Sequence, residues 1–201
     1  TGAGVARDTA ARGLRVAVVE AHDVAMGTSS RSSKLIHGGL RYLASGEVDL
    51  VRKTARERTA VHEMAPHLAE PCWMVVPARN LAGVTTFKTG IAAYEKLGAV
   101  LDADRHQVWN EAAIAENEPF LRIDPYRRAV AYREYLTDDA RLVLAVLRAA
   151  VRDGAVVATR LTATGVVAES GRVTGVRCRC ALTDREITVR AKVIVNAAGP
   201  W

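Results

Sequence analysis

The stretch of the chain richest in groups that could do chemistry is residues 28–43, TSSRSSKLIHGGLRYL. Its hydroxyls and backbone amides can bind phosphate and polyol oxygens without adding charge. Gly38 and Gly39 would let the backbone lie against a flat ring such as isoalloxazine. The composition of this stretch fits a flexible polar loop equally well, so the elements around it have to decide between the two interpretations.

The first twenty residues have the pattern of the second half of a βαβ unit. Small and apolar residues form one helix face within residues 2–12, and Gly13 follows where a helix stop is expected. Residues 14–20 (LRVAVVE) are a nearly continuous apolar run, typical of a strand covered on both faces in a parallel sheet. The first strand of such a unit is missing from the chain, so its start looks cut.

Gly2 and Glu20 fit the tail of a dinucleotide-binding fingerprint. Gly2 opens the helix at the place of the third glycine, and Gly4 would permit close helix packing. Glu20 stands at the C-terminal end of the next strand, where a carboxylate can accept both hydroxyls of an unphosphorylated ribose. A generic α/β crossover would share the helix and the strand, and it remains the alternative.

Periodicity and turn residues predict the elements that hold these groups in place. The predicted helices are residues 49–68, 85–97 and 140–152. The predicted strands are residues 72–76, 128–136, 155–159, 161–168, 173–181, 186–189 and 192–196. The strands between residues 161 and 189 form a β-meander with turns at 169–171 and 183–184. The last strand ends in a small-residue segment, 197–200, where backbone can approach a ligand closely.

The composition indicates a globular chain without a membrane span, because no apolar stretch approaches the roughly 20 residues of a membrane helix. Cys72, Cys178 and Cys180 are expected to be reduced thiols of a cytoplasmic protein, and no metal site is expected. The net charge of +6 comes from Arg scattered along the chain. It argues against nucleic-acid binding and suits an anionic substrate, cofactor or membrane surface. Helix 85–97 could touch a membrane or bury its apolar face in the core.

Residues 28–43 resemble, nearly residue for residue, the signature of FAD-dependent glycerol-3-phosphate dehydrogenases. The resemblance reaches both ends of the chain through TGAGVARDTAARGL at the start, MAPHLAEP from Met64, DDARLVLA from Asp138 and VNAAGPW at the end. Members of that family carry a strand and two further glycines before the first of these segments and continue well beyond the last. The chain is therefore expected to be a truncated piece carrying most of the flavin-binding half.

The resemblance implies the α/β fold of the glutathione-reductase-like flavoproteins. This fold has a Rossmann-type FAD-binding sheet, here without its first strand, a β-meander and part of a substrate-binding sheet. It would form one partial FAD-dependent oxidoreductase domain over residues 1–201. Residues 1–45 and 138–201 would belong to the FAD-binding part, and residues 46–137 mostly to the substrate side and its connections.

The resemblance also implies roles for individual residues. Glu20 would bind the adenosine ribose, Thr162 would place a backbone amide against adenine, and Gly199 would lie near the cofactor. The residues around the pyrophosphate and ribityl chain would be Thr28, Ser29, Ser32, Ser33 and Lys34. The residues near the flavin would be His37, Gly38, Gly39 and Leu40, with Arg41 and Tyr42 facing the substrate. In plainer interpretations His37 is a loop histidine, Arg41 a surface ion-pair partner and Tyr42 a core aromatic.

The implied activity is oxidation of sn-glycerol 3-phosphate to dihydroxyacetone phosphate, with hydride transfer to FAD and electrons passed to a quinone. Arg41 would hold the substrate phosphate, and His37 is a candidate for removing the hydroxyl proton. The implied partners are the substrate, a quinone and the inner face of the cell membrane, with a homodimer left open. The alternatives are an oxidase that uses dioxygen, an FAD-dependent amine or amino-acid oxidase, and an inactive fragment.

Overall fold

The computed structural model of the protein describes residues 1–37, 42, 45–98, 100 and 102–200. Within them the helices are α1 (Gly2–Ala11), α2 (Val48–Met64), α3 (Leu81–Gly98), α4 (Glu111–Asn117) and α5 (Asp139–Arg152). The strands are β1 (Ala17–Val19), β2 (Leu35–Ile36), β3 (Glu70–Ala78), β4 (Gln107–Trp109), β5 (Arg128–Leu136), β6 (Val156–Ala158), β7 (Leu161–Glu169), β8 (Arg172–Cys180) and β9 (Glu186–Arg190). Contacts divide this α/β chain into two compact units, Thr1–Ser33 with Asp138–Trp201, and Lys34–Thr137.

The first unit is built on a parallel pair of strands, β1 and β6, and on two helices, α1 and α5. Ala6 and Ala10 of α1 are buried against Ala150 and Ala155, which lie at the end of α5 and just beyond it. Small side chains on both helices allow this close approach. The predicted end of α1 is confirmed, because Gly13 follows it with a φ of 77°, a conformation that favours glycine.

Two strand predictions in this unit are wrong in detail. Strand β1 has three residues, and its side chains range from exposed to half-buried instead of being covered on both faces. Residues 192–196 form no strand, and Val193 and Val195 are 76% and 58% exposed. A strand needs a neighbour to pair its backbone groups. The part of the chain that the structure describes places β6 beside β1 and no strand beside residues 192–196.

The predicted meander is confirmed as the antiparallel sheet β7-β8-β9. Ser170 and Gly171 connect its first two strands with φ angles of 50° and 76°, as a tight hairpin of this hand requires. Asp184, with a φ of 55°, lies in the second turn. Cys178 and Cys180 of β8 are free thiols.

The second unit is an antiparallel sheet centred on β5. Strand β3 pairs with the whole length of β5, and β2 and β4 pair with shorter parts of it. Val130 of β5 packs with Val84 and Ile91 of α3 on one face. Its neighbours Ala129 and Ala131 pack with Trp109 and Ile114 on the other face. Alternation of side chains along β5 therefore supplies both halves of the core.

Two helices of this unit differ in length from their predictions. Helix α2 ends at Met64, and a single 3-10 turn, Pro66–Leu68, follows it, because proline cannot donate the hydrogen bond that would continue an α-helix. Helix α3 begins at Leu81, four residues before its predicted start. Asn80 accounts for the earlier start, since its side-chain oxygen accepts the amide of Gly83 at 2.8 Å.

Val84, Ile91 and Tyr94 of α3 face the core of this unit. Ile91 and Tyr94 are each only 1% exposed, and Phe87 is 40% exposed. This burial favours the core interpretation of the helix over contact with a membrane. Among the residues that the structure describes, no helix combines the length and the apolar character needed to cross a membrane.

Candidate functional site

The N-terminus of α1 lies against the small-residue segment near the end of the chain. A Cβ built on Gly2 would come within 3.3 Å of the Cβ of Ala197, and Gly199 follows with a φ of 79°. The first amides of a helix lack intrahelical acceptors and carry the positive end of the helix dipole. The small residues therefore allow a pyrophosphate to come close to the first amides of α1. This part of the chain fits the pyrophosphate of FAD.

Glu20 directly follows β1 and lies beside the start of the meander. Its amide donates to the carbonyl of Ala158 and its carbonyl accepts the amide of Leu161, both at 2.9 Å. One carboxylate oxygen accepts the amide of His22 at 3.0 Å. These bonds hold Glu20 close to Thr162, which is exposed on β7. Two residues predicted to contact the adenosine part of FAD are thereby brought together.

The hydroxyl-rich run begins with a single 3-10 turn, Thr28–Ser30, which lies near the start of α5. The hydroxyl of Ser32 donates to a carboxylate oxygen of Asp139 at 2.5 Å. Ser29 is half-buried, whereas Thr28 and Ser33 are exposed. The run is therefore anchored to a helix that comes more than a hundred positions later in the sequence.

Lys34 opens the second unit in a left-handed backbone conformation, with a φ of 63°. Its carbonyl accepts the amide of Thr137 at 2.7 Å. The next two residues form β2, in which Ile36 lies opposite Tyr135 of β5. His37 follows directly and is exposed. Strand β2 thus brings His37 to the end of a sheet edge.

The remaining predicted residues of this run are only partly described. Tyr42 is half-buried. Gly38, Gly39, Leu40 and Arg41 lie outside the described residues. Their roles beside the flavin and the substrate stay predictions from the sequence.

A buried ion pair in the second unit was missed by the sequence analysis. Arg58 of α2 donates to Glu134 of β5 at 2.8 Å and to the Tyr94 hydroxyl at 2.6 Å, and this hydroxyl donates to Glu134 at 3.1 Å. Arg58 is 4% exposed and Glu134 is 1% exposed. The spacing of Arg58 from Val51 and Ala55 places it on the buried face of α2, and this spacing was the available signal.

Burial and the facing oxygens shift the pKa of Arg58 in opposite directions. Burial disfavours the charged guanidinium of Arg58, but the facing oxygens of Tyr94 and Glu134 outweigh it, so the pKa of Arg58 is raised. Burial raises the pKa of Tyr94 far above its ordinary value, and the Glu134 carboxylate raises it further. Arg58 therefore stays charged and Tyr94 stays neutral at physiological pH.

Two other features lie outside the predicted cofactor residues. An open groove of about 600 Å³ is lined by Leu144, Leu147 and Val151 of α5 and by Val157 and Thr159 at β6. None of the residues predicted to bind FAD lines it. In the described part of the chain, no three His, Cys, Asp or Glu side chains cluster as metal ligands do.

A glycine pair on α1 gives a matched test of the approach to the helix N-terminus. Gly2→Val is expected to weaken FAD binding by roughly tenfold or more, because overpacking typically costs about 1 to 3 kcal/mol. Gly4→Val is the control, since a Cβ on Gly4 meets nothing within 4 Å among the described atoms. Close packing of a neighbouring element against Gly4 stays a prediction from the sequence. Titration of the flavin-free protein with FAD measures both, and equal losses would contradict the assignment of Gly2.

Comparison with known proteins decides the family. A family model described as FAD dependent oxidoreductase matches residues 1–201. The chain belongs to this family. Its α/β fold class and FAD as the family cofactor are therefore confirmed.

Two curated relatives of this chain are both named aerobic glycerol-3-phosphate dehydrogenase. The protein from Bacillus subtilis (strain 168) is 41% identical over 203 residues, and the protein from Staphylococcus haemolyticus (strain JCSC1435) is 39% identical over 204 residues. Each match includes 100% of this chain and 37% of the relative. The chain thus spans little more than a third of the length of these relatives.

Solved structures show a similar fold. The glycerol-3-phosphate dehydrogenase from Bacillus halodurans complexed with FAD has a TM-score of 0.75 and 36% identity, over 100% of this chain and 32% of that one. An L-proline dehydrogenase from P. horikoshii has a TM-score of 0.69 and 18% identity, over 92% of this chain and 47% of that one. The second likeness establishes the fold alone.

Proposed function

We propose that the protein containing this chain oxidises sn-glycerol 3-phosphate to dihydroxyacetone phosphate in an FAD-dependent reaction whose electrons pass to a quinone. The observation that carries the proposal is the run 28–43, which combines flavin-type hydroxyls with the pair Arg41 and Tyr42. Identities of 41% and 39% along the whole chain to proteins named aerobic glycerol-3-phosphate dehydrogenase support it.

The first unit has the groups for holding the cofactor. Bound FAD would supply the acceptor for the hydride. Glu20 would accept the hydroxyls of the adenosine ribose, and the first amides of α1 beyond Gly2 would face the pyrophosphate. The small side chains near Gly199 would leave room for it. These tasks are binding and orientation, which is the part that a protein contributes in a cofactor enzyme.

The start of the second unit has the groups for the substrate. Arg41 would form paired hydrogen bonds with the substrate phosphate, because a planar guanidinium matches two phosphate oxygens. Tyr42 would lie beside it. His37, exposed at the end of β2, would take the proton of the secondary hydroxyl as the C–H bond breaks. Holding the phosphate would fix the distance between that hydroxyl and His37.

Anaerobic mixing tests this assignment in a protein that carries this chain and has the full length of its relatives. Glycerol 3-phosphate should remove the visible flavin absorbance rapidly, whereas glycerol, glycine and proline should do so slowly or not at all. Reduction by an amino acid in preference to glycerol 3-phosphate would overturn the substrate and favour an amino-acid oxidase.

A second mixing step tests the electron acceptor. A soluble quinone analogue should reoxidise the reduced protein much faster than air-saturated buffer does. The opposite order would replace the dehydrogenase with a glycerol-3-phosphate oxidase. A structure of L-alpha-glycerophosphate oxidase from Mycoplasma pneumoniae has a TM-score of 0.65 at 13% identity, so a protein named an oxidase shares the fold and the oxidase stays the alternative.

The proposed acceptor leads to a proposed location. Quinones with long apolar tails reside in the bilayer, so the protein would work at the inner face of the cell membrane as a peripheral protein. The net charge of +6 on this chain would favour an anionic membrane surface. Co-sedimentation with vesicles that contain anionic lipids, and not with neutral vesicles, is the expected result.

A further inference from the structure

The open groove beside α5 has a mostly apolar lining. Its apolar residues include Leu144, Leu147 and Val151 of α5 and Val157 of β6. Leu144 and Val151 are 46% and 50% exposed, so about half of each side chain faces water. The volume of about 600 Å³ lies within the range of roughly 300 to 1,000 Å³ that is usual for small-molecule sites. The groove therefore has the size and the lining for an apolar ligand.

Two arginines of α5 add positive charge to this lining. Arg148 and Arg152 both line the groove, and both are exposed. They lie one turn apart on the helix, so their side chains leave it on the same face. Among the residues that the structure describes, no carboxylate forms an ion pair with either guanidinium. Both arginines are therefore available to an anionic group of a ligand.

The acidic residue of the described lining lies on a different element. Asp23 belongs to the loop after β1, and one of its carboxylate oxygens accepts the amide of Val24 at 2.7 Å. An anionic group in the groove would be repelled by Asp23 and attracted by Arg148 and Arg152. These charges favour an anion on the α5 side of the groove.

The apolar residues and the arginines together select one class of ligand. A neutral hydrocarbon would contact the apolar residues but would not use the arginines. A small anion such as phosphate would leave the apolar residues exposed to water. An acyl chain that ends in a carboxylate uses both, because the chain covers the apolar lining and the carboxylate pairs with a guanidinium.

We propose that the groove is a binding site for one fatty-acid anion, with its chain on Leu144, Leu147 and Val151 and its carboxylate at Arg148 and Arg152. The described lining contains none of the residues predicted to bind FAD or the substrate. The proposal therefore goes beyond the proposed function. It depends on neither the substrate nor the electron acceptor, so each of the two proposals can fail without the other.

Isothermal titration calorimetry tests the proposal in an FAD-loaded protein that carries this chain and has the full length of its relatives. Octanoate should bind at a single site below the concentration at which it forms micelles. The affinity should rise from hexanoate to octanoate to decanoate by roughly threefold for each methylene that the groove buries. Acetate should not bind measurably, because it has no chain. 1-Octanol should bind more weakly than octanoate, because it carries no charge to pair with arginine.

Substitutions on α5 locate the site. Arg148→Gln combined with Arg152→Gln should weaken octanoate binding by roughly tenfold and leave 1-octanol binding nearly unchanged. Arg141→Gln is the matched control, since Arg141 is exposed on the same helix but is not part of the groove lining. This control should change the affinity for neither ligand. Leu144→Asp should weaken the binding of both ligands, because it places a carboxylate against the chain.

Other occupants of the groove would give different results, and each of these results overturns the proposal. If octanoate does not bind and Leu144→Asp strongly lowers the melting temperature, the rest of the protein covers the groove. If octanoate does not bind but Leu144→Asp prevents co-sedimentation with anionic vesicles, this face docks on a bilayer. If octanoate binds equally to Leu144→Asp and to the unsubstituted protein, the fatty-acid site lies elsewhere.

The arginine pair keeps the test decisive if Leu144→Asp does not yield folded protein. Both arginines are exposed, so their substitution by glutamine should leave the protein folded. An unchanged affinity for octanoate, or an equal loss for octanoate and 1-octanol, would show that the carboxylate does not lie at Arg148 and Arg152.

Discussion

Arg58→Met is expected to lower the free energy of unfolding by about 3 to 5 kcal/mol, the usual effect of removing one partner from a buried ion pair. The reason is that Glu134, which is 1% exposed, would lose the guanidinium that faces it in the core. The Tyr94 hydroxyl would lose its bond from Arg58 at the same time. Urea unfolding followed by circular dichroism measures the change.

Helix α2 provides a matched control on its exposed side. Arg52 pairs with Asp49 at 3.1 Å, and the Asp49 side chain is 98% exposed. Arg52→Met is therefore expected to cost less than about 1 kcal/mol, as solvent-exposed pairs do. If Arg58→Met cost no more than Arg52→Met, the buried pair would not stabilise the second unit.

A second substitution distinguishes the loss of the attraction between Arg58 and Glu134 from the cost of the carboxylate that remains. Arg58→Met combined with Glu134→Gln should recover at least half of the loss, because glutamine is neutral and can still bond to Tyr94. Recovery of this size would identify the buried Glu134 carboxylate, facing no guanidinium from position 58, as the main cost. No recovery would indicate that packing of Arg58 between the rings of Tyr94 and Tyr135, at 5.6 Å and 5.3 Å, dominates instead.

The parts of the fold that depend on local chemistry could be predicted from the sequence. Gly13 ends α1 because its backbone adopts a conformation that other residues avoid, and the same property of Gly171 sets the first hairpin of the meander. Apolar runs of strand length between such turns leave few other structures available. These residues predicted the end of α1 and the turns of the meander, but not the pairing of β1 with β6.

The parts that depend on distant partners could not be predicted in the same way. Residues 192–196 have the composition of a strand, yet a strand also needs a paired neighbour, which local pattern does not reveal. The Arg58 pair joins positions 76 residues apart, and Ser32 reaches Asp139 over 107 residues. The spacing of Arg58 from Val51 and Ala55 is that of a buried helix face, but the spacing does not identify the partner of Arg58.

The residues predicted to bind the cofactor and those predicted to bind the substrate differ in the same respect. Glu20 lies close to Thr162 through the backbone bonds between the end of β1 and the start of the meander, and the cofactor roles of both residues stay predictions. The substrate residues follow β2 in a run of which His37 and Tyr42 are described. For Arg41 the expectation comes from the sequence alone, and only an experiment on the reaction tests it.

In the full-length protein, Arg41→Ala is expected to lower kcat/KM for glycerol 3-phosphate by roughly tenfold to several hundredfold. One charged hydrogen bond to phosphate is typically worth about 1.5 to 3 kcal/mol, and Arg41 would make one or two. Residual activity on glycerol should change far less, since glycerol has no phosphate to lose. Steady-state kinetics on both substrates, with the flavin content of each preparation measured, gives the comparison.

Two further variants decide what Arg41 contributes. Arg41→Lys should recover only part of the loss, because an ammonium keeps the charge but lacks the planar fork that pairs with two phosphate oxygens. Arg31→Ala removes the same charge from the same run ten positions earlier, so it should affect both substrates little. If Arg41→Ala lowered kcat/KM equally for both substrates at unchanged flavin content, Arg41 would position the flavin or the fold. The phosphate of the substrate would then have to be held elsewhere, and the assignment to glycerol 3-phosphate would lose its main support from a residue in this chain.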